Sequence, residues 1–96
     1  MPQENSKTLS IVIPVFNEIN FLDELFKQIK KFFNNDYTEI IFVDDGSNDG
    51  SSNLLVELKK KNNYKFSLKI IRLDTNSGKG KAIQIGINNC ASLVYE

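Results

Sequence analysis

The 96 residues are enough for one small domain but not two, and 41% hydrophobic with 25% charged residues is the composition of a globular domain rather than a disordered chain. The 12 basic and 12 acidic side chains cancel, which argues against nucleic-acid binding and long-range attraction to anionic membranes, since both depend on basic excess. Histidine is absent, which excludes zinc sites of the Cys/His type and a histidine general base.

Residues 1–8 are polar and are expected to form a flexible tail, with a single domain over 9–96. The run of mostly β-branched residues from Leu9 to Val15 is typical of a strand buried on both faces in a parallel sheet. Pro14 has no N–H for the sheet ladder, so the strand is expected to end near it.

An amphipathic helix is predicted next, because apolar residues recur there every three or four positions. Asn20 is its expected N-cap, and residues 34–36 are its expected stop. Acids in its first turn and lysines in its last turn would suit the helix dipole. The apolar residues of the pattern are Phe21, Leu22, Leu25, Phe26, Ile29, Phe32 and Phe33, and its acids are Asp23 and Glu24. All four phenylalanines are expected in the core.

Two further strand and helix pairs follow. Residues 40–43 predict a strand, and leucines 54, 55 and 58 predict a helix that ends in lysines 59–61. Residues 68–73 predict a third strand, and a third helix would place Ala82, Ile83, Ile87 and Cys90 on one side, with Cys90 as a small buried residue. Residues 93–96 look like the approach to a fourth strand. The alternation predicts an α/β fold with a parallel sheet and right-handed crossovers.

The three most polar or glycine-bearing loops of this arrangement follow strands. Residues 14–18, 44–47 and 74–81 come at the carboxyl ends of the three predicted strands. Because ligands of open α/β sheets bind at that edge, the loops are expected to form one ligand site.

Two of these loops carry motifs that resemble the opening motifs of the family 2 glycosyltransferases. They are IVIPVFNE at 11–18 and IFVDDGSNDG at 41–50, and the likeness extends over about 9–91. NSGKGKA at 76–82 resembles members that transfer sugars to polyprenyl phosphates, such as the dolichyl-phosphate glucosyl- and mannosyltransferases. The resemblance implies the three-layer, Rossmann-like, nucleotide-binding half of a GT-A fold, cut off before the metal-binding strand.

The resemblance also implies a nucleotide pocket lined by Pro14, Phe16 and Glu18, in which Val43 and Asp45 contact the base of the nucleotide. The carboxylate of Asp45 would accept a hydrogen bond from a uracil or guanine N–H, a role that suits an acceptor-only group. The donor would then be a UDP- or GDP-linked hexose.

Three further residues are weaker candidates. Asp44 is expected to bond nearby backbone amides. Gly78 and Lys79 open a helix and would contact the phosphate of the donor or of a lipid, because a helix N-terminus favours anions. A Walker phosphate loop is excluded, since Thr75 and Ala82 stand where Gly and Ser or Thr are required.

Other parts of the enzyme are expected beyond this chain. Family members carry an Asp-x-Asp-type motif after a fourth strand, which holds Mg²⁺ or Mn²⁺ against the diphosphate. The chain therefore has no predicted catalytic or metal-binding residues. By itself it is expected to bind the donor weakly or not at all and to be inactive. The complete enzyme is expected to transfer the hexose with inversion, in the cytoplasm or at the cytoplasmic face of a membrane.

Three alternatives to this interpretation exist. A non-catalytic remnant or interaction module with the same half-fold stays open. A calcium loop starting at Asp45 is disfavoured, because Val56 stands where a bidentate Glu is required and a strand, not a helix, precedes it. A phosphoacceptor receiver domain is disfavoured, because its acid pair follows the first strand and the pair here follows the second.

Overall fold

A computed structural model describes residues 8–90 and shows strands and helices in strict alternation. The predicted order of elements is confirmed. The elements are β1 (Leu9–Val15), α1 (Ile19–Phe32), β2 (Thr38–Asp44), α2 (Ser51–Lys61), β3 (Ser67–Arg72) and α3 (Lys79–Asn88). The expected tail, apart from Thr8, and the expected approach to a fourth strand at 93–96 lie outside the described residues.

The three strands form a parallel sheet in the order β1-β2-β3. All seven residues of the central strand, β2, are buried. The register pairs Val15 with Asp44 and Asp44 with Arg72, so the three strands end at the same level. The loops that follow them therefore start from one edge of the sheet.

Helices cover both faces of this sheet, which gives the predicted three layers. Alternate residues of β2 point to opposite faces. Ile40 and Phe42 pack in the larger core with the buried face of α1 and α2. Ile41 and Val43 pack with Ala82 of α3 in a smaller one. None of the described helices has the length and apolar character needed to cross a membrane.

The predicted start of α1 is wrong. Glu18 occupies the N-cap position without a side-chain capping bond, Asn20 lies inside the helix, and the first turn contains no acid. The physical reason is that another loop supplies the cap: Asp49 Oδ2 accepts a hydrogen bond from the Ile19 N–H at 3.2 Å. The predicted basic last turn is confirmed by Lys30 and Lys31.

Two of the four phenylalanines expected in the core are exposed. The buried stripe of α1 is formed by Leu22, Phe26 and Ile29. Phe21 and Phe32 are 68% and 64% exposed, because each lies about 90° around the helix from that stripe at about 100° per residue. Phe33 is partly buried against the core.

The predicted face of α3 also needs correction. Ala82 and Gly86 are its buried residues, whereas Ile87 is 42% exposed. A Cβ on Gly86 would overlap Val12 and lie 3.1 Å from Val43 Cγ2, so only glycine lets α3 pack this closely on the sheet. Cys90 is partly rather than fully buried, beside the smaller core.

Candidate functional site

A cavity of about 370 Å³ lies at the carboxyl edge of the sheet, where the three loops meet. Most of the predicted site residues lie on its wall. The lining residues are Pro14, Val15, Phe16, Glu18, Asp45, Asn76, Gly78 and Lys79. Val15 and Asn76 were not predicted from the sequence. Asn76 could have been, because it belongs to the third motif and lies in a loop that follows a strand.

Val43 is the predicted base contact whose side chain does not face the cavity. Its side chain is completely buried between the sheet and α3, in the cluster with Ile41 and Ala82. The alternation of β2 points it into the smaller core, whereas Asp45 lies just beyond the strand end.

Asp44 is completely buried and bonds to its own turn and to β3. Its Oδ1 accepts a hydrogen bond from the Ser47 N–H at 3.0 Å. Its Oδ2 accepts one from the Ser52 hydroxyl and pairs with the Arg72 guanidinium at 3.4 Å. The backbone oxygen of Asp44 also accepts from the Leu73 N–H. These contacts make Asp44 an anchor for the turn, out of reach of the cavity.

Asp45 links all three strand ends. Its backbone N–H donates to the Val15 carbonyl at 2.8 Å. Its carboxylate accepts bonds from the β3–α3 turn: the Ser77 N–H at 2.6 Å on Oδ1, and the Gly78 N–H at 2.9 Å and Asn76 Nδ2 at 3.1 Å on Oδ2. Bonds to a carboxylate are stronger than neutral ones, so Asp45 holds this turn against the end of β2 while lining the cavity.

The turn between β2 and α2 approaches the β3–α3 turn so closely that glycine is required at its tip. Gly46 has φ 78°, and a Cβ there would lie 2.8 Å from the backbone of Thr75 and of Asn76. Any side chain at this position would push the two loops apart and alter the cavity wall.

The β1–α1 loop is fixed by bonds to the β2–α2 turn. The Asn17 N–H donates to Ser47 Oγ at 2.9 Å, and Asn17 Oδ1 accepts from the Asn48 N–H at 2.9 Å. The Glu18 N–H donates to Ser51 Oγ at 3.1 Å. These bonds determine where the neighbouring Phe16 and Glu18 side chains stand on the cavity wall.

Asp49 is a supporting residue that sequence reasoning missed. Besides capping α1, its Oδ1 accepts from the Ser51 N–H at 3.0 Å and the Ser51 hydroxyl at 2.6 Å. The Ser51 hydroxyl bond is the main reason that the pKa of Asp49 lies below its usual 3.8. The sequence offered one signal for Asp49, because it belongs to a polar turn rich in capping residues. That signal did not indicate which helix Asp49 caps.

Lys79 brings positive charge to one side of the cavity. It is the first residue of α3, where unpaired N–H groups and the helix dipole favour anions. Glu18 and Asp45 place carboxylates on the rest of the wall. The cavity wall thus carries hydrogen-bond acceptors at Glu18 and Asp45 and a positive charge at Lys79.

A divalent cation does not fit the residues that the structure describes. Within 8–90, no three acidic, histidine or cysteine side chains lie close enough together to hold a metal ion. The adjacent carboxylates of Asp44 and Asp45 are already bonded to protein donors.

Comparison with known proteins gives consistent matches. The sequence model described as "Glycosyl transferase family 2" matches residues 10–94. The undecaprenyl-phosphate 4-deoxy-4-formamido-L-arabinose transferase of Pseudomonas fluorescens is 41% identical over an alignment of 85 residues that covers 85% of this chain and 24% of that protein. An uncharacterised protein of Methanocaldococcus jannaschii is 35% identical over 82 residues, 85% of this chain and 33% of that protein.

Two solved structures share the fold. A mannosyltransferase from Pyrobaculum calidifontis, in complex with GDP-Man and Mn²⁺, matches with TM-score 0.74 and 19% identity over 94% of this chain and 26% of its own. S. aureus TarS matches with a TM-score of 0.72 and 28% identity, and the match covers 88% of this chain and 25% of the TarS chain. The predicted fold class, an α/β parallel sheet that forms part of a GT-A fold, is confirmed. The chain spans between a quarter and a third of the length of its curated relatives.

Proposed function

The chain belongs to glycosyltransferase family 2, and from this premise we propose that the cavity binds the nucleoside diphosphate of a sugar donor, from which the complete enzyme transfers a hexose. The observation that carries the proposal is the convergence of three strand-end loops around one cavity with Asp45 on its wall. Nucleotides bind in this position of open α/β sheets.

The base and ribose are assigned to the side of the cavity formed by β1, β2 and the loops that follow them. The carboxylate of Asp45 accepts a ring N–H of the base. Phe16, which is 45% exposed at the cavity, packs against an apolar face of the nucleotide, and Pro14 extends that apolar wall. Glu18 accepts hydrogen bonds from the ribose hydroxyls.

The phosphates are assigned to the start of α3, at Gly78 and Lys79, next to the Asp45 carboxylate that accepts the Gly78 N–H. The N-terminus of α3 and the Lys79 ammonium supply positive charge there. The same chemistry would also suit the phosphate of a lipid acceptor. Because the described residues do not provide a metal site, the Mg²⁺ or Mn²⁺ proposed for the complete enzyme would be held outside 8–90.

The proposed acceptor is a polyprenyl phosphate. Support comes from the third motif, at 76–82, and from a relative whose name specifies undecaprenyl phosphate. Transfer to such a lipid would take place at a membrane surface, which we propose to be the cytoplasmic face.

Titration calorimetry with UDP and with GDP, both in the presence of Mn²⁺, on a version of the protein extended past residue 96 tests donor binding. We expect saturable heat for at least one nucleotide. Pyrophosphate serves as the control and should bind more weakly, because it lacks the base and ribose assigned to Asp45, Phe16 and Glu18. Absence of heat for both nucleotides, or equal binding of pyrophosphate, would refute the proposal.

A further inference from the structure

We propose that the outer face of α1 and α2 docks on an anionic lipid bilayer. The two helices pack on the same side of the sheet, and five lysines toward their C-terminal ends form what we call the basic face: Lys27, Lys30, Lys31, Lys60 and Lys61. The inference goes beyond the proposed function and does not depend on nucleotide binding, because none of these lysines lines the cavity at the carboxyl edge.

The basic face is a local excess of positive charge on a chain whose net charge is zero. The second half of α1 carries Lys27, Lys30 and Lys31 and contains no acid, whereas Asp23 and Glu24 belong to its first half. Salt screens charges beyond about 8 Å at physiological ionic strength. Binding at contact distance therefore depends on the charge of this face and not on the sum over the chain.

The ammonium groups of the basic face are accessible to an outside anion. The one ion pair that they make within 8–90 joins Lys60 to Glu57 at 4.0 Å, where both side chains are largely exposed and water screens the attraction. Four of the five lysines are exposed, and Lys30 is partly exposed. Contact with lipid phosphates would thus break no buried interaction.

Three lysines of the basic face surround a second cavity, of about 130 Å³, between α1 and α2. Lys27 and Lys30 line it from α1, and Lys61 lines it from the last residue of α2. Asp23 is the one acid among the described residues on this wall, so the wall carries a net positive charge. The phosphate of a lipid headgroup would meet ammonium groups from both helices there.

An exposed aromatic residue borders the basic face. Phe32, in the last turn of α1, is 64% exposed, and the Lys31 ammonium lies 5.3 Å from the centre of its ring. Lysines beside exposed phenylalanines are typical of helices that lie in the headgroup region of a bilayer. Insertion there would remove the Phe32 ring from water, while the flexible stem of Lys31 keeps its charge at the phosphates.

The chemistry of lysine favours a bilayer over other anionic partners. An ammonium group is a point charge on a flexible stem, whereas the planar guanidinium of arginine suits phosphates held in a fixed geometry. The basic face contains only lysines, and Arg72 lies at the end of β3, paired with Asp44. A fluid array of anionic headgroups requires no fixed geometry, and each lysine near it adds to binding.

Co-sedimentation of the purified chain with lipid vesicles tests the docking. The vesicles consist of phosphatidylcholine alone or with about one third phosphatidylglycerol, at about 0.15 M ionic strength. Since each lysine near an anionic surface contributes about fivefold, we expect the anionic vesicles to bind at least about a hundredfold more tightly. Equal binding to both kinds of vesicle, or binding to neither, would overturn the inference. Binding to an RNA oligonucleotide but not to anionic vesicles would also overturn it.

Substitutions test whether the basic face is responsible. Lys61→Gln should weaken binding to anionic vesicles about fivefold. Lys81→Gln removes the same charge from an exposed position on α3, on the other side of the sheet, and is the matched control that should leave binding unchanged. Equal losses for the two variants would show that only total charge matters, and would refute the assignment to this face.

The combined variant Lys27→Gln, Lys30→Gln and Lys61→Gln should weaken vesicle binding about a hundredfold. Circular dichroism checks its fold, and if it does not fold, the two single variants decide. Introduced into the protein extended past residue 96, the three substitutions should leave the Kd for UDP unchanged. Vesicle binding and nucleotide binding are thus measured separately, so failure of the docking is distinguished from failure of the proposed function.

Discussion

Replacing Asp44 with Asn tests whether the buried carboxylate below the cavity holds the strand ends together. The substitution keeps the side-chain shape and keeps an oxygen for the Ser47 N–H. It puts an amide NH₂ where Oδ2 now accepts from the Ser52 hydroxyl and pairs with Arg72. The amide NH₂ would then face the Arg72 guanidinium, which is also a donor, and could no longer accept from the Ser52 hydroxyl, at a position with no solvent exposure.

The magnitude depends on how exposed the partners are. Removing one member of a fully buried ion pair costs about 3–5 kcal/mol, but the side chain of Arg72 is 53% exposed and water screens its charge. An exposed pair contributes about 1 kcal/mol or less. Adding the lost bond from Ser52, about 1 kcal/mol, gives a loss of about 2 kcal/mol in the free energy of unfolding for Asp44→Asn. Arg72→Met should cost about 1 kcal/mol or less.

Urea denaturation of the purified protein, followed by circular dichroism, measures both losses. Asp23→Asn, at an exposed position on α1, is the control and should change the free energy of unfolding by less than about 0.5 kcal/mol. Two results would refute the reasoning: an Asp44→Asn loss no larger than that of the control, or an Arg72→Met loss equal to that of Asp44→Asn.

Three further predictions follow from the packing and the site. Gly86→Ala should destabilise the protein by about 1–3 kcal/mol through overpacking, whereas Gly80→Ala, in open space on the same helix, should be neutral or stabilising in the same urea assay. Phe16→Ala should weaken UDP binding about tenfold through lost base stacking, whereas Phe21→Ala, exposed outside the cavity, should leave the calorimetric Kd unchanged. Because the folded pKa of Asp49 lies below its usual 3.8, its contribution to stability is complete above pH 3.8 and lost as the pH falls through the lower folded value; in acid titrations, Asp49→Asn should flatten the pH dependence of unfolding in that window.

The helix ends show how far local patterns reach. The period of α1 correctly predicted a helix, and its lysines correctly marked the last turn. Its cap was wrong because Asp49, 30 residues along the chain, accepts the Ile19 N–H. A capping residue supplied by another loop leaves no signal at the helix it caps.

The buried strand shows a second limit. The continuous apolar run at 40–43 predicted a strand, and all of β2 is buried. The burial on both faces predicted for β1 is wrong, because that strand is only partly buried before Val15. The continuity of the run at 40–43 carries no period-two signal, so it could not tell that Val43 faces α3 while Asp45 reaches the cavity.

The amino-acid sequence by itself determined the order of strands and helices, the parallel sheet and the edge at which the polar loops meet, because hydrophobic periodicity and turn residues are local properties. Only the tertiary structure decided which polar atoms meet there. Asp45 bonds to residues 31 to 33 positions away, and such pairs depend on the register of β2 against β3 and on the path of each loop. Hydrogen bonds act over about 3 Å, so their partners are known only when the strands have been placed.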